Sequence, residues 1–233
     1  MVEYIKKSGL TAKTDIHTNA LLLDETYIDE LCAAGINRIV VSLQGLDEKN
    51  YLEVCGAHIE FEQFYHTLEY LYKAKTTTQV YIKIVDVAVG NQRDKFYKMF
   101  SPIADRVFIE SVVPLWTGMD MSGKKTESNK YGDVFKVQCC CPLIFYTINI
   151  LPDGTIYPCS HIRPPFKLGN VNNTTLFEAW NSMKKKEFLK CMLEEGRFNI
   201  QACRDCYVPQ NTVMTPEDSI DAYAGEIKKR LME

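Results

Sequence analysis

The stretch Cys141-Pro-Leu-Ile-Phe-Tyr-Thr-Ile-Asn-Ile-Leu-Pro-Asp-Gly-Thr-Ile-Tyr-Pro-Cys159, answered after an insert by Cys203-Arg-Asp-Cys206, decides how this chain is read. Twelve residues separate Cys141 from Gly154, four separate Gly154 from Cys159, and two separate Cys203 from Cys206. A two-residue gap lets both thiolates of a Cys-x-x-Cys pair face one metal centre. Ile144 to Leu151 is expected as a strand, Pro152-Asp153-Gly154 as a turn, and Thr155 to Tyr157 as the returning strand. Such a hairpin makes neighbours of Cys141 and Cys159, so four thiolates around one centre is the economical reading. A disulfide framework fits poorly, because no export signal is visible and the chain is large enough for a core without staples. Structural zinc also uses four thiolates, but zinc ribbons usually carry two Cys-x-x-Cys pairs, whereas here one pair is split across the hairpin. Cys139 and Cys140 stand close enough to Cys141 to replace it.

Composition sets the outer bounds. The 233 residues are 46% hydrophobic and 24% charged, enough for one large domain or two small ones. A net charge of −3 gives no electrostatic case for nucleic acid or an anionic membrane surface. No apolar run approaches the roughly 18 residues of a bilayer span, so no membrane partner is expected. Nine cysteines point to metal chemistry in a reducing compartment, and a cytoplasmic location is expected.

Upstream, helical and strand patterns alternate. Val2–Ser8 reads as a helix stopped by Gly9, and Ala12–Thr18 as a strand. A helix capped by Asp24 reaches about Ala34, followed by a strand over Asn37–Leu43. Asp47 caps a short helix to about Val54, and Phe61–Ala74 is a longer helix with Phe61, Phe64, Leu68 and Leu71 at helical spacing. A strand over Val80–Val89, a helix over Arg93–Phe100 and a strand over Arg106–Val112 follow. Four such alternations predict βα units with a parallel sheet or partial barrel over residues 1–113. The weakly periodic, Gly- and Ser-containing stretch 114–138 reads as a linker, and 139–233 as a small α+β domain with the hairpin. There Thr174 or Thr175 starts a helix through about Lys184, a second helix runs to Glu195, and Thr215-Pro216 starts a last one. The run Lys184-Lys185-Lys186 reads as a solvated helix face. Alternation also places Ser42, Lys83 and Glu110 opposite the apolar faces of their strands. With Thr18 they are expected inside the barrel, near the carboxyl ends of the strands where βα folds build sites.

The order Cys-(12)-Gly-(4)-Cys, Leu168-Gly169-Asn170-Val171, Leu176-Phe177-Glu178-Ala179-Trp180, Cys-x-x-Cys resembles the auxiliary-cluster domain of radical S-adenosylmethionine (radical SAM) enzymes, called SPASM, or twitch in its single-cluster form. Thr18-Asn19-Ala20-Leu21-Leu22 and Val40-Val41-Ser42-Leu43-Gln44-Gly45, followed by Tyr51, resemble the middle strands of the radical SAM partial barrel. The resemblance implies an auxiliary [4Fe–4S] cluster on Cys141, Cys159, Cys203 and Cys206, with Cys141 chosen from the triple cysteine because Pro142 follows it. It implies Thr18, Asn19 and Ser42 beside SAM, with Lys83 and Glu110 at polar groups of SAM or substrate. His161 and Tyr157, beside a ligand cysteine, are expected to support the site. The family's Cys-x-x-x-Cys-x-x-Cys and Gly-Glu-Pro motifs are absent from the 233 residues. The expectation is therefore the C-terminal portion of a radical SAM enzyme whose full-length form holds SAM and a second [4Fe–4S] cluster. That form would generate a 5′-deoxyadenosyl radical and abstract hydrogen from a peptide or a sugar or antibiotic precursor, with a flavodoxin or ferredoxin as electron donor. The competing expectation is a non-catalytic four-cysteine module.

Overall fold

The computed structural model describes all residues except 11, 115–117, 120, 122–127, 135–136, 162–163, 213–218 and 233, and of 210, 212 and 232 it describes only the backbone. The chain divides into two compact units, Met1–Val112 and Val113–Glu233.

The first unit begins with α1 (Val2–Lys7) and β1 (Asp15–Thr18). There follow α2 (Glu25–Ala33), β2 (Arg38–Leu43), α3 (Glu48–Cys55), α4 (Phe61–Ala74) and β3 (Gln79–Val85). The turn α5 (Asp86–Val89), α6 (Arg93–Phe100) and β4 (Arg106–Glu110) complete it. Helix starts follow from their caps: Asp24 accepts from Tyr27 N and Asp47 from Asn50 N. The strands are parallel and lie in sequential order β1-β2-β3-β4. Right-handed crossovers in that order put the helices on one face. That face carries Ile39, Val41, Leu43, Val80, Ile82 and Ile84, buried with Ile28, Phe64, Leu68, Leu71, Phe96 and Phe100 in one core. Each such side chain contributes roughly 1.5–3 kcal/mol on leaving water. The result is an α/β unit with an open four-stranded sheet; closure into a barrel is not seen among the described residues.

Three strand expectations are corrected. β1 is shorter than Ala12–Thr18, because only Asp15–Thr18 finds partners on β2. β3 stops at Val85 instead of Val89: Asp86–Val89 turns helical, burying Ala88 and Val89, and the Asp86 carboxylate accepts from Val112 N at 3.1 Å. β4 ends at Glu110 instead of Val112, where its ladder with β3 ends.

The second unit has a small antiparallel sheet, β5 (Asn149–Ile150), β6 (Thr155–Tyr157) and β7 (Gly169–Asn170). It also has α7 (Leu176–Trp180), α8 (Met183–Glu195), α9 (Gln201–Arg204), α10 (Val208–Thr212) and α11 (Ala224–Met232). The first hairpin strand is far shorter than Ile144–Leu151: Leu143–Phe145 is a 3-10 turn, and the Thr147 hydroxyl donates back to Leu143 O at 2.8 Å. β7 adds a third strand that the sequence reading did not include. Thr175, not Thr174, caps α7, in a reciprocal capping box with Glu178. α7 ends at Trp180, and Ser182 caps a separate α8. The Thr215-Pro216 start lies outside the described residues. So does much of 114–138; its described part includes a bridge between Ser128 and Val134.

Candidate metal centre

Cys141, Cys159, Cys203 and Cys206 line one small cavity of about 30 Å³ in the second unit. Leu143, Ile144, Pro165, Ala202, Val208 and Pro209 make its walls apolar. Each cysteine arrives by a different route. Cys141 precedes the 3-10 turn, Cys159 follows β6, and α9 with the turn after it presents Cys203 and Cys206 one turn apart. Gly154 makes the hairpin possible. Its φ of +81° is the left-handed conformation, and a Cβ there would stand 2.9 Å from Asn170 Oδ1.

The triple cysteine resolves on geometry. Among the described residues lining the cavity, only Cys141 comes from it. Cys140 is buried elsewhere, its thiol donating to Met192 O at 3.3 Å. Cys139 is exposed. The Asp221 carboxylate fixes this register, accepting from Cys139 N at 2.8 Å and from Cys140 N at 2.6 Å.

Burial, then the neighbouring cysteines, push the thiols of Cys141 and Cys203 up to about 12. Burial likewise raises Cys159 and Cys206. Cys203 is sensitive to the other three thiols at once, so the four form one electrostatic group. Among the described residues no three His, Cys, Asp or Glu are arranged to hold a metal ion. A zinc site would draw four sulfurs to about 2.3 Å from one centre. A cubane instead takes one thiolate at each of its iron corners and needs room between them. The donor set of four thiols and the apolar lining fit a cubane.

Two cations flank the thiols, and the sequence reading passed over both. Arg197 is buried; its Nε donates to Gln138 O at 2.7 Å and its NH1 to Cys203 O at 3.2 Å and Cys206 O at 2.6 Å. Lys185 is fully buried, which overturns the solvated-face reading of Lys184-Lys185-Lys186. Its Nζ donates to Ile144 O at 2.8 Å and lies 3.7 Å from the Trp180 ring centroid. Burial pushes its ammonium down to about 8, with Cys159 pulling the other way. The signal was in the helical spacing: Lys185, Phe188, Leu189, Met192 and Leu193 form the buried stripe of α8, so Lys185 falls on it and its neighbours do not. His161 lines the cavity and its backbone bonds to the Cys159 thiol. Tyr157 pairs with Asn149 in the sheet.

In the first unit the face opposite the helices carries Ser42 and Lys83, which are register partners. Glu110 shares this face, and its carboxylate accepts from Lys83 Nζ at 2.7 Å. Thr18 does not share it. Its register partner is Val41, which in turn faces Ile82, so Thr18 belongs to the helix-covered face and His17 takes its place. The Thr18 and Asn19 side chains serve the following turn, accepting from Ala20 N at 2.9 Å and Leu21 N at 3.2 Å. They support a buried Ala20 at φ +61°. After β2, Gly45 is required by close approach, since a Cβ there would meet Tyr51 N at 2.8 Å.

The chain combines a parallel α/β unit with a four-thiol pocket, and each part resembles a known family. The model of the radical SAM superfamily matches residues 1–91, and the SPASM iron–sulfur cluster-binding domain matches residues 139–207. The chain thus carries a region similar to the radical SAM superfamily in its first unit and a region similar to the SPASM domain around the thiol pocket. No curated protein sequence matches it. Among solved structures, BtrN in complex with AdoMet and 2-DOIA matches at 17% identity and a TM-score of 0.49, covering 88% of this chain. The chain spans 64% of the length of that BtrN chain. BtrN in an open conformation matches at 12% identity and a TM-score of 0.30, over 84% of this chain and 93% of that one. No helix among the described residues is long and apolar enough to cross a membrane.

Proposed function

We propose that the second unit holds one auxiliary [4Fe–4S] cluster on Cys141, Cys159, Cys203 and Cys206. The observation that carries this is the convergence of these four thiols, and no other cysteine among the described residues, on one apolar cavity. When bound, such a cluster supplies an electron relay or a binding point for substrate. The chain's own residues provide the thiolates, exclude water with Leu143, Ile144, Pro165 and Val208, and fix the Cys203–Cys206 turn through Arg197. Four protein thiolates leave no iron open to chelate SAM. With no Cys-x-x-x-Cys-x-x-Cys in the 233 residues, this polypeptide by itself is expected not to cleave SAM.

In the first unit, Ser42, Lys83 and Glu110 are proposed to face SAM or substrate. Thr18 and Asn19 are proposed to act there through the turn they hold. The reaction proposed for the functional enzyme is hydrogen abstraction by a 5′-deoxyadenosyl radical, from a peptide or a sugar or antibiotic precursor, with a flavodoxin- or ferredoxin-type donor. The test is anaerobic reconstitution. About four irons and four sulfides per chain are expected, with no 5′-deoxyadenosine formed from SAM and dithionite. Stoichiometric zinc without sulfide in anaerobically prepared protein refutes the cluster assignment.

A further inference from the structure

Among the described residues Lys185 and Arg197 are the two most buried basic side chains of the second unit; Arg197 lines the thiol pocket, and Lys185 stands behind it, bonded to Ile144 O and within electrostatic reach of Cys159. Among the described residues neither has a carboxylate within ion-pair distance. The hydrogen bonds of Lys185 and Arg197 go to backbone carbonyls: Ile144 O for the first, and Gln138, Cys203 and Cys206 O for the second. Carbonyl dipoles and the Trp180 ring solvate a cation but do not neutralise it. A buried charge without a counter-charge is costly, and folds keep one where an opposite charge is to be met. Here the groups that feel these cations are the proposed ligands: Cys159 for Lys185, Cys203 and Cys206 for Arg197.

Resting on the cluster assignment above, we propose that Lys185 and Arg197 are the built-in counter-charges of the cluster and hold its reduction potential up. A cubane on four thiolates is a dianion when oxidised and a trianion after gaining one electron. Two cations in a desolvated shell balance the dianion and favour the trianion further, because Coulomb attraction grows with the added charge at low dielectric. Hydrogen bonding and net charge near the sulfurs are the protein's means of setting such potentials. The electron comes from the external donor and no proton is required. Lys185 and Arg197 are thus positioning and charge-setting residues; neither is assigned a contact with substrate.

The test compares wild type, Lys185→Met, Lys185→Arg and Arg197→Lys, each reconstituted anaerobically as the 233-residue chain. Iron and sulfide are counted, and EPR follows a dithionite redox titration. Lys185→Met is expected to lower the midpoint so that the reduced-to-oxidised ratio at a fixed potential falls at least tenfold, about 59 mV for one electron. Lys185→Arg and Arg197→Lys, which keep the charge, should stay close to wild type in potential. If Lys185→Met keeps its iron and its midpoint, the counter-charge proposal is wrong. Should Lys185→Met and Lys185→Arg lose the cluster equally, Lys185 acts by shape and the proposal also fails. A wild-type chain that assembles no cubane overturns the cluster assignment itself, and the counter-charge role falls with it.

Discussion

Lys83→Met removes the cation from an ion pair whose side chains are 19% (Lys83) and 11% (Glu110) exposed and 2.7 Å apart. At that distance and an effective dielectric near 20, the Coulomb attraction is about 6 kcal/mol, and desolvation of both groups offsets much of it. What remains visible is the penalty of a largely buried Glu110 carboxylate losing its ammonium, about 3 kcal/mol. Glu110→Gln keeps an acceptor oxygen for Lys83 and should cost less, about 1–2 kcal/mol. The double substitution should cost less than the sum of the singles, with a coupling of about 2 kcal/mol. Urea unfolding followed by circular dichroism reads the loss; with a slope near 1.5 kcal/mol per molar, Lys83→Met lowers the midpoint of the first unit by roughly 2 M. A coupling below about 0.5 kcal/mol, the level of an exposed pair, would refute the reasoning.

Three further outcomes are expected. Cys140→Ser should keep about four irons after reconstitution while Cys141→Ser falls well short; the reverse order would move the ligand one residue along the triple cysteine. Gly154→Ala must hold a Cβ at φ +81° against Asn170, a strain of about 1–2 kcal/mol, seen as a lower thermal midpoint of the second unit with weaker iron retention. Asp47→Ala should cost about 1 kcal/mol at neutral pH by uncapping α3. The Asp47 carboxyl is held below the usual carboxylate range, chiefly by the Asn50 N–H. Its contribution is therefore full above the unfolded value and lost as pH falls through the lower folded one, so wild type and variant should converge in acid urea titrations.

Much of the first unit was legible because its strands are short β-branched runs separated by amphipathic helices with acidic caps at Asp24 and Asp47. What misled was treating polarity as a guide to face. Thr18 is polar but lies in register with Val41, and its hydroxyl is consumed by a local turn that no periodicity announces. The β-branched residues recurring through Val89 likewise hid the point where Asp86 bonds to Val112 N and the backbone turns helical. In the second unit the cysteine spacing pointed to the four thiols that line the cavity but not to their surroundings. Ile144–Leu151 looks extended in composition, yet the ladder with β6 holds only Asn149 and Ile150. Arg197 and Lys185 were invisible as site residues because each reaches the pocket from another part of the chain, Arg197 across 59 residues to Gln138 and Lys185 across 41 to Ile144.

The Asp221 clasp on Cys139 and Cys140 spans more than eighty residues and anchors the chain beside Cys141. Closing loops of that length carries an entropic cost that only late-formed contacts repay, so topology delays the folding of the second unit. During synthesis at about 5–20 residues per second, Cys141 leaves the ribosome roughly 3–13 s before Cys206. Its thiol waits unburied for that interval, open to oxidation or mispairing with Cys139 and Cys140. Uptake of the proposed cluster is therefore expected to follow tertiary closure after translation. Whatever hastens the meeting of Asp221 with the triple cysteine shortens the chain's period of chemical vulnerability.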